Sequence, residues 1–276
     1  MGKRRLTWVL LALLIVCVMT TLLGVSALAL TGKLTFLDAA GKPLPASKGV
    51  ATFILPNVVP QTLEITQGVG AWLLVILTAV TLGMEETYGT LRVMIGAGMD
   101  RTCYLAGKLG GLVVVAGVFV VAGLVVGVVS SLLIGALAHP SPSASPTAGL
   151  AMALSVGMAL RTIGVLCVPI ALTFCATVLS RSQVIGIAVG LGYYVFDTVA
   201  GNALDMLGIA AVTFRPLLLG RDVAAVMNLN HFGPTQALGG VPPVPTAVLA
   251  LLGYGAIFVI VPWLIFRRRD ITSGAV

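Results

Sequence analysis

Met84-Glu85-Glu86-Thr87-Tyr88-Gly89-Thr90-Leu91-Arg92-Val93-Met94-Ile95-Gly96-Ala97-Gly98-Met99-Asp100-Arg101 is a charged, glycine-punctuated island between two long apolar runs. Each of its two adjacent carboxylates would cost about 2.5–3.5 kcal/mol at a bilayer centre. They follow an uncharged run about a membrane's width long, so they mark where the chain leaves the lipid. From Glu85 to Ile95 the residues read as a short amphipathic helix. Tyr88, Leu91, Met94 and Ile95 recur at three-to-four spacing, opposite Glu86, Gly89 and Thr90. Gly96-Ala97-Gly98 stops that helix, and Asp100 is placed to cap a new one starting at Arg101. A helix on the membrane face, tethered at both ends to spans, is well built to touch a soluble partner.

Working outward, the 276 residues are 58% hydrophobic and only 9% charged, whereas soluble domains are about a quarter charged. The composition is that of an integral membrane protein, with the lipid bilayer as its solvent. The formal charge of +7 does not point to nucleic acid, because the basic residues fall in short clusters beside apolar runs, as anchors facing anionic lipid do. Cys17, Cys167 and Cys175 lie in apolar runs and Cys103 beside the island, with no CxxC, so they read as reduced structural residues.

The apolar runs give six spans, at about 6–31, 68–84, 107–137, 162–179, 184–204 and 246–266. Outer loops are expected at 32–67, 138–161 and 205–245, and a coupling helix at 85–95. The first run follows Lys3-Arg4-Arg5 and is too long for the 7–15 apolar residues of a signal peptide, so it reads as an uncleaved span despite Ala27-Leu28-Ala29. Arg161 breaks the fourth apolar stretch, so 148–160 reads as a separate interfacial helix, and Pro169 is expected to bend the span itself. Ser180-Arg181-Ser182-Gln183 reads as a tight turn back. Gly123-xxx-Gly127 and Gly186-xxx-Gly190 permit close helix contact.

Six crossings put both termini on one side. If that side is the cytoplasm, ten Lys and Arg residues lie inside and six outside, in agreement with the positive-inside rule. The island is then cytoplasmic. The expected fold is an all-α integral membrane protein with six transmembrane helices and a cytoplasmic coupling helix between spans two and three.

The sequence has no P-loop, no HExxH and no GxSxG, and its two histidines, His139 and His231, fall in outer loops. It is not expected to be an enzyme in its own right, nor to hold a cofactor or metal. Asp197, after Tyr193 and Tyr194 in the fifth span, is the one serious intramembrane polar candidate, as a substrate contact or proton site. The plainer reading pairs it with a loop arginine such as Arg161 or Arg215.

Glu85-Glu86-x-x-Gly89-Thr90-Leu91, followed by Gly98-x-x-Arg101-x-x-Tyr104-Leu105-x-Gly107-Lys108, resembles the E-x-x-x-G-T … G-x-[ST]-R … GK signature of type-2 ATP-binding-cassette exporter permeases. Leu55-Pro56-Asn57, the Gln61–Gln67 stretch, the Ser180-Arg181-Ser182 turn and the Arg268-Arg269-Asp270-Ile271 ending fit the same pattern; Asp100 stands where Ser or Thr is usual. The resemblance implies a permease subunit in the cytoplasmic (inner) membrane, paired with a second copy or a homologous permease. It also implies a separate ABC ATPase subunit that binds ATP and Mg. Glu85, Glu86, Tyr88, Gly89, Thr90, Leu91, Arg92, Met94 and Arg101 would then form the ATPase-coupling surface, and the cargo would be hydrophobic or amphipathic. A stand-alone, proton-coupled secondary transporter is the alternative, with Asp197 as its coupling group.

Overall fold

The computed structural model describes residues 2–31, 52–87, 100–138, 148–206, 218–230 and 242–268. Every regular element among them is a helix: α1 (Gly2–Leu30), α2 (Val58–Thr87), α3 (Arg101–Ala138), α4 (Ala148–Ser180), α5 (Gln183–Met206), α6 (Leu219–Asn228) and α7 (Val244–Arg268). All but α6 are long and apolar enough to cross a membrane. The chain is an all-α, multi-pass membrane protein.

Successive spans run antiparallel, which gives the bundle two distinct ends. The near end holds the start of α1, the end of α2, the start of α3, the α4–α5 turn and the end of α7. The far end holds the end of α1, the start of α2, the end of α3, the start of α4, and α6. Side-chain contacts fix this order. Tyr104 of α3 stacks on Phe266 of α7 at 6.2 Å at the near end, and Leu55 N–H donates to Ser131 of α3 at 2.9 Å at the far end.

Helices α2 and α4 are the spine. Of the residues in their apolar windows, 56% and 61% are buried, against 11% in both α5 and α7. Lipid is as apolar as a leucine core, so helices in a membrane associate through close packing rather than water exclusion. Two seams of small residues provide it. Gly123 and Gly127 of α3 lie directly against Thr66 and Thr62 of α2, and Gly186 and Gly190 of α5 against Thr177 and Thr173 of α4. Both spacings that the sequence offers for close contact are thus used inside one chain.

Several boundaries differ from the sequence reading, each for a local reason. Helix α2 begins at Val58 rather than near residue 68. Its polar first turns carry Thr62 and Thr66, which face α3, while Glu64 stays exposed, so the segment is a striped helix and not a loop. Residues 148–180 form one helix and not an interfacial helix plus a span. Arg161 does not break it, because its guanidinium reaches outward to the Leu229 carbonyl at 3.2 Å and the Asn230 side chain at 3.3 Å. Helix α3, by contrast, starts at Arg101, where the sequence places a new helix. Asp100 sits at its N-cap, with its carbonyl accepting from Tyr104 N–H at 3.0 Å and its carboxylate from the Thr102 hydroxyl. Arg181 makes the tight α4–α5 turn in the left-handed conformation, at φ 56°.

Candidate functional site

Two polar sites stand at opposite ends of the bundle. At the near end, α2 continues through Thr87, so Glu85, Glu86 and Thr87 belong to the second span's helix rather than opening a separate one. Glu85 turns inward and is only 4% exposed. It accepts a hydrogen bond from the Tyr104 hydroxyl and an ion pair from Lys108 at 2.5 Å, both on α3. Lys108 also lies 5.7 Å from the centre of the Tyr104 ring. Tyr104 and Lys108 are four residues apart and so share one face of α3. Paired in this way, a carboxylate can sit at the edge of an apolar bundle that would otherwise expel it.

The rest of the expected coupling surface is only partly visible. Arg101 is the first residue of α3. Tyr88, Gly89, Thr90, Leu91, Arg92 and Met94 lie outside the described residues. What the structure adds is a tie between the two flanking helices: the contacts of Glu85 join the end of α2 to the start of α3.

The second site is a recess of about 490 Å³ at the far end, between α2, α4, α5 and α6. Asp197 lines it, together with Tyr193, Tyr194, Glu64, Gln67 and Arg221. Of the two arginines foreseen for Asp197, Arg161 is engaged at the end of α6 instead, and Arg215 lies outside the described residues. The Tyr193 hydroxyl donates to Asp197 Oδ1 at 3.3 Å and accepts from Leu219 N–H, in the first turn of α6, at 3.1 Å. Asp197 Oδ2 lies so close to Gly220 that a Cβ there would collide with it. A glycine at 220 is what lets the amide end of α6 close on a carboxylate, an arrangement favoured by the helix dipole. Arg221 donates to the Gly201 carbonyl at 3.1 Å and ties α6 to α5 a second time.

Asp222 was not anticipated from sequence. It is 1% exposed, and its Oδ2 has no hydrogen-bond partner among the described residues. Burial, and then the negative charge of Asp197, push its carboxyl up to about 6. A raised folded-state value means that the folded chain holds this proton more tightly than the unfolded chain does. Asp222 therefore favours the docked α6 below about pH 4, and that advantage is lost as pH rises to about 6. The wild-type chain in detergent is expected to melt higher at pH 4.5 than at pH 7.5 through this group. Asp222→Asn should flatten that difference and raise the pH 7.5 melting temperature. An unchanged pH dependence in the variant would remove Asp222 from this role.

An apolar groove lies elsewhere among the described residues. A lateral groove of about 640 Å³ opens between α3, α4 and α7, lined by residues such as Val113, Ile170, Leu252 and Ile260. Spans two and five both line the polar recess.

No family model, no characterised protein and no solved structure matches this chain. Six apolar crossings around a polar recess suggest a membrane transport protein.

Proposed function

We propose that the chain is the membrane-spanning subunit of an ATP-driven exporter of the type-2 ATP-binding-cassette kind. Its partners would be a second permease copy or homologue and a separate ATPase subunit that holds ATP and Mg. In this reading both termini and the near end face the cytoplasm, and the chain moves a hydrophobic or amphipathic substrate outward. The observation that carries it is the Glu85 contact with Tyr104 and Lys108. A push delivered to the segment between α2 and α3 needs a stiff connection to both helices, and a buried charge pair at their mouths is one. ATP binding would close the partner subunits and press on residues 88–95. That displacement would pass through Glu85 into α2 and α3, and hydrolysis would reset it.

Co-purification tests the proposal. The wild-type chain should retain a stoichiometric ATPase, and Glu86→Lys or Leu91→Asp should lose it, since each places the wrong charge on the docking surface. Retention of the ATPase by both variants would overturn the placement.

A second reading, a proton-coupled secondary transporter, is favoured by one observation: Asp222, buried with no partner for Oδ2 among the described residues, lies on the short helix whose first turn closes on Asp197. Transport that persists in Asp197→Asn and stops without the ATPase excludes it. Transport by the chain alone supports it.

A further inference from the structure

The lateral groove between α3, α4 and α7 joins hydrocarbon walls to one charge. It holds about 640 Å³ and opens sideways past the exposed side chains of Leu252 and Ile260. Among the described residues that line it, Arg161 is the one that carries charge. Two lining positions are glycine, Gly164 on α4 and Gly255 on α7, and a Cβ added at either meets nothing within 4 Å. Missing side chains therefore keep part of the groove open. An apolar slot that faces lipid does not stay empty, because its lining would forfeit dispersion contacts along one side.

Length and charge select the occupant. Along α7 the groove extends from Val248, in the helix's first turns at the far end, to Ile260. At the helical rise per residue that is roughly 18 Å. One leaflet of a hydrocarbon layer is about 15 Å deep, so the groove has the length of a single acyl chain. Arg161 stands at the far end of this slot, where Nη1 donates to the Leu229 carbonyl and the Asn230 side chain just past α6. Both acceptors are neutral. Its Nε and Nη2 have no acceptor, and it has no carboxylate partner, among the described residues. That free edge of a planar guanidinium suits the paired oxygens of a phosphate. A phosphate at the membrane face above an acyl chain is a phospholipid.

We propose that this groove is a phospholipid site, with one acyl chain of the far-end leaflet lying along α7 and the lipid phosphate held by Arg161. The proposal goes beyond the exporter reading and does not rest on it, because binding is measured on the purified chain without an ATPase.

The probe is dioleoylphosphatidylglycerol, titrated into the delipidated full chain in detergent and counted by native mass spectrometry. Dioleoylglycerol, with the same chains and no phosphate, and glycerol phosphate, with no chains, are the controls. One phosphatidylglycerol per chain is expected to bind about tenfold more tightly than either control, as a close charge pair added to apolar contact does. Arg161→Gln keeps an amide donor for the Leu229 carbonyl and should bring phosphatidylglycerol down to the level of dioleoylglycerol. Gly255→Leu fills open space in the slot, leaves Arg161 unchanged, and should weaken binding of both diacyl lipids about tenfold. It decides the matter if Arg161→Gln does not fold. The proposal is overturned by the absence of one tightly held lipid, or by equal binding of dioleoylglycerol or glycerol phosphate. Affinity that neither variant changes also overturns it, as does a wild-type dimer that Gly255→Leu breaks, which would give the groove to a second copy.

Discussion

Glu85→Ala is expected to destabilise the folded chain by about 2–3 kcal/mol, a large effect for a residue at the rim of the bundle. The substitution removes the one carboxylate that accepts from both the buried Tyr104 hydroxyl and the Lys108 ammonium. Lys108 keeps some access to water, with its side chain 29% exposed, and this holds the cost below that of a fully buried charge. Glu85→Gln should cost less, because the amide oxygen still accepts from Tyr104. Adding Lys108→Met to Glu85→Ala should recover part of the loss, since the pair is then absent rather than broken. Unfolding in detergent, followed by helical signal, measures all three variants. A Glu85→Ala chain within about 0.5 kcal/mol of wild type would mean that the contact carries no weight.

Gly83→Ala should be the most damaging single methyl group that can be added to the bundle. A Cβ at residue 83 would lie 2.8 Å from both Cα and N of Gln183, at the start of α5. Backbone atoms cannot rotate away as a side chain can, so α5 would have to shift as a body. Overpacking of this kind typically costs about 1–3 kcal/mol, and backbone against backbone belongs at the upper end. Gly110→Ala is the matched control, because nothing lies within 4 Å of the added Cβ. It should be neutral or stabilising by up to about 1 kcal/mol through helix propensity alone. Equal melting temperatures for the two variants would contradict the packing described for α2 and α5.

The contrast between these glycines marks what could be read from the chain alone. The six crossings were legible because each is a long uncharged run, and lipid imposes that pattern whatever the neighbours are. The pairing of helices was not. Gly123 and Gly127 advertise a close approach, but only the structure identifies Thr66 and Thr62 as their partners. Helix ends misled where polarity was local: Glu64 and Gln67 read as loop, yet they sit on a helix beside a polar recess. Glu85 read as a charge aimed at a partner and is in fact turned inward. A signal for this was present in Tyr104 and Lys108, one turn apart at the mouth of the neighbouring span and opposite in character to the glutamate. Asp197 was found from its depth in an apolar run. Gly220 and Asp222 were not, because their meaning depends on how α6 docks, and nothing within those ten residues specifies the docking site.

The spans are also unequal in length. Helix α3 has 38 residues, roughly 57 Å, whereas α5 has 24, roughly 36 Å. A hydrocarbon layer is about 30 Å deep and varies by a few ångströms between membranes. A thicker layer covers turns of α3 that were wet and asks nothing else of it, but α5 has about one turn to spare before its polar ends are drawn into oil. The shortest crossing therefore sets which membranes accept the bundle.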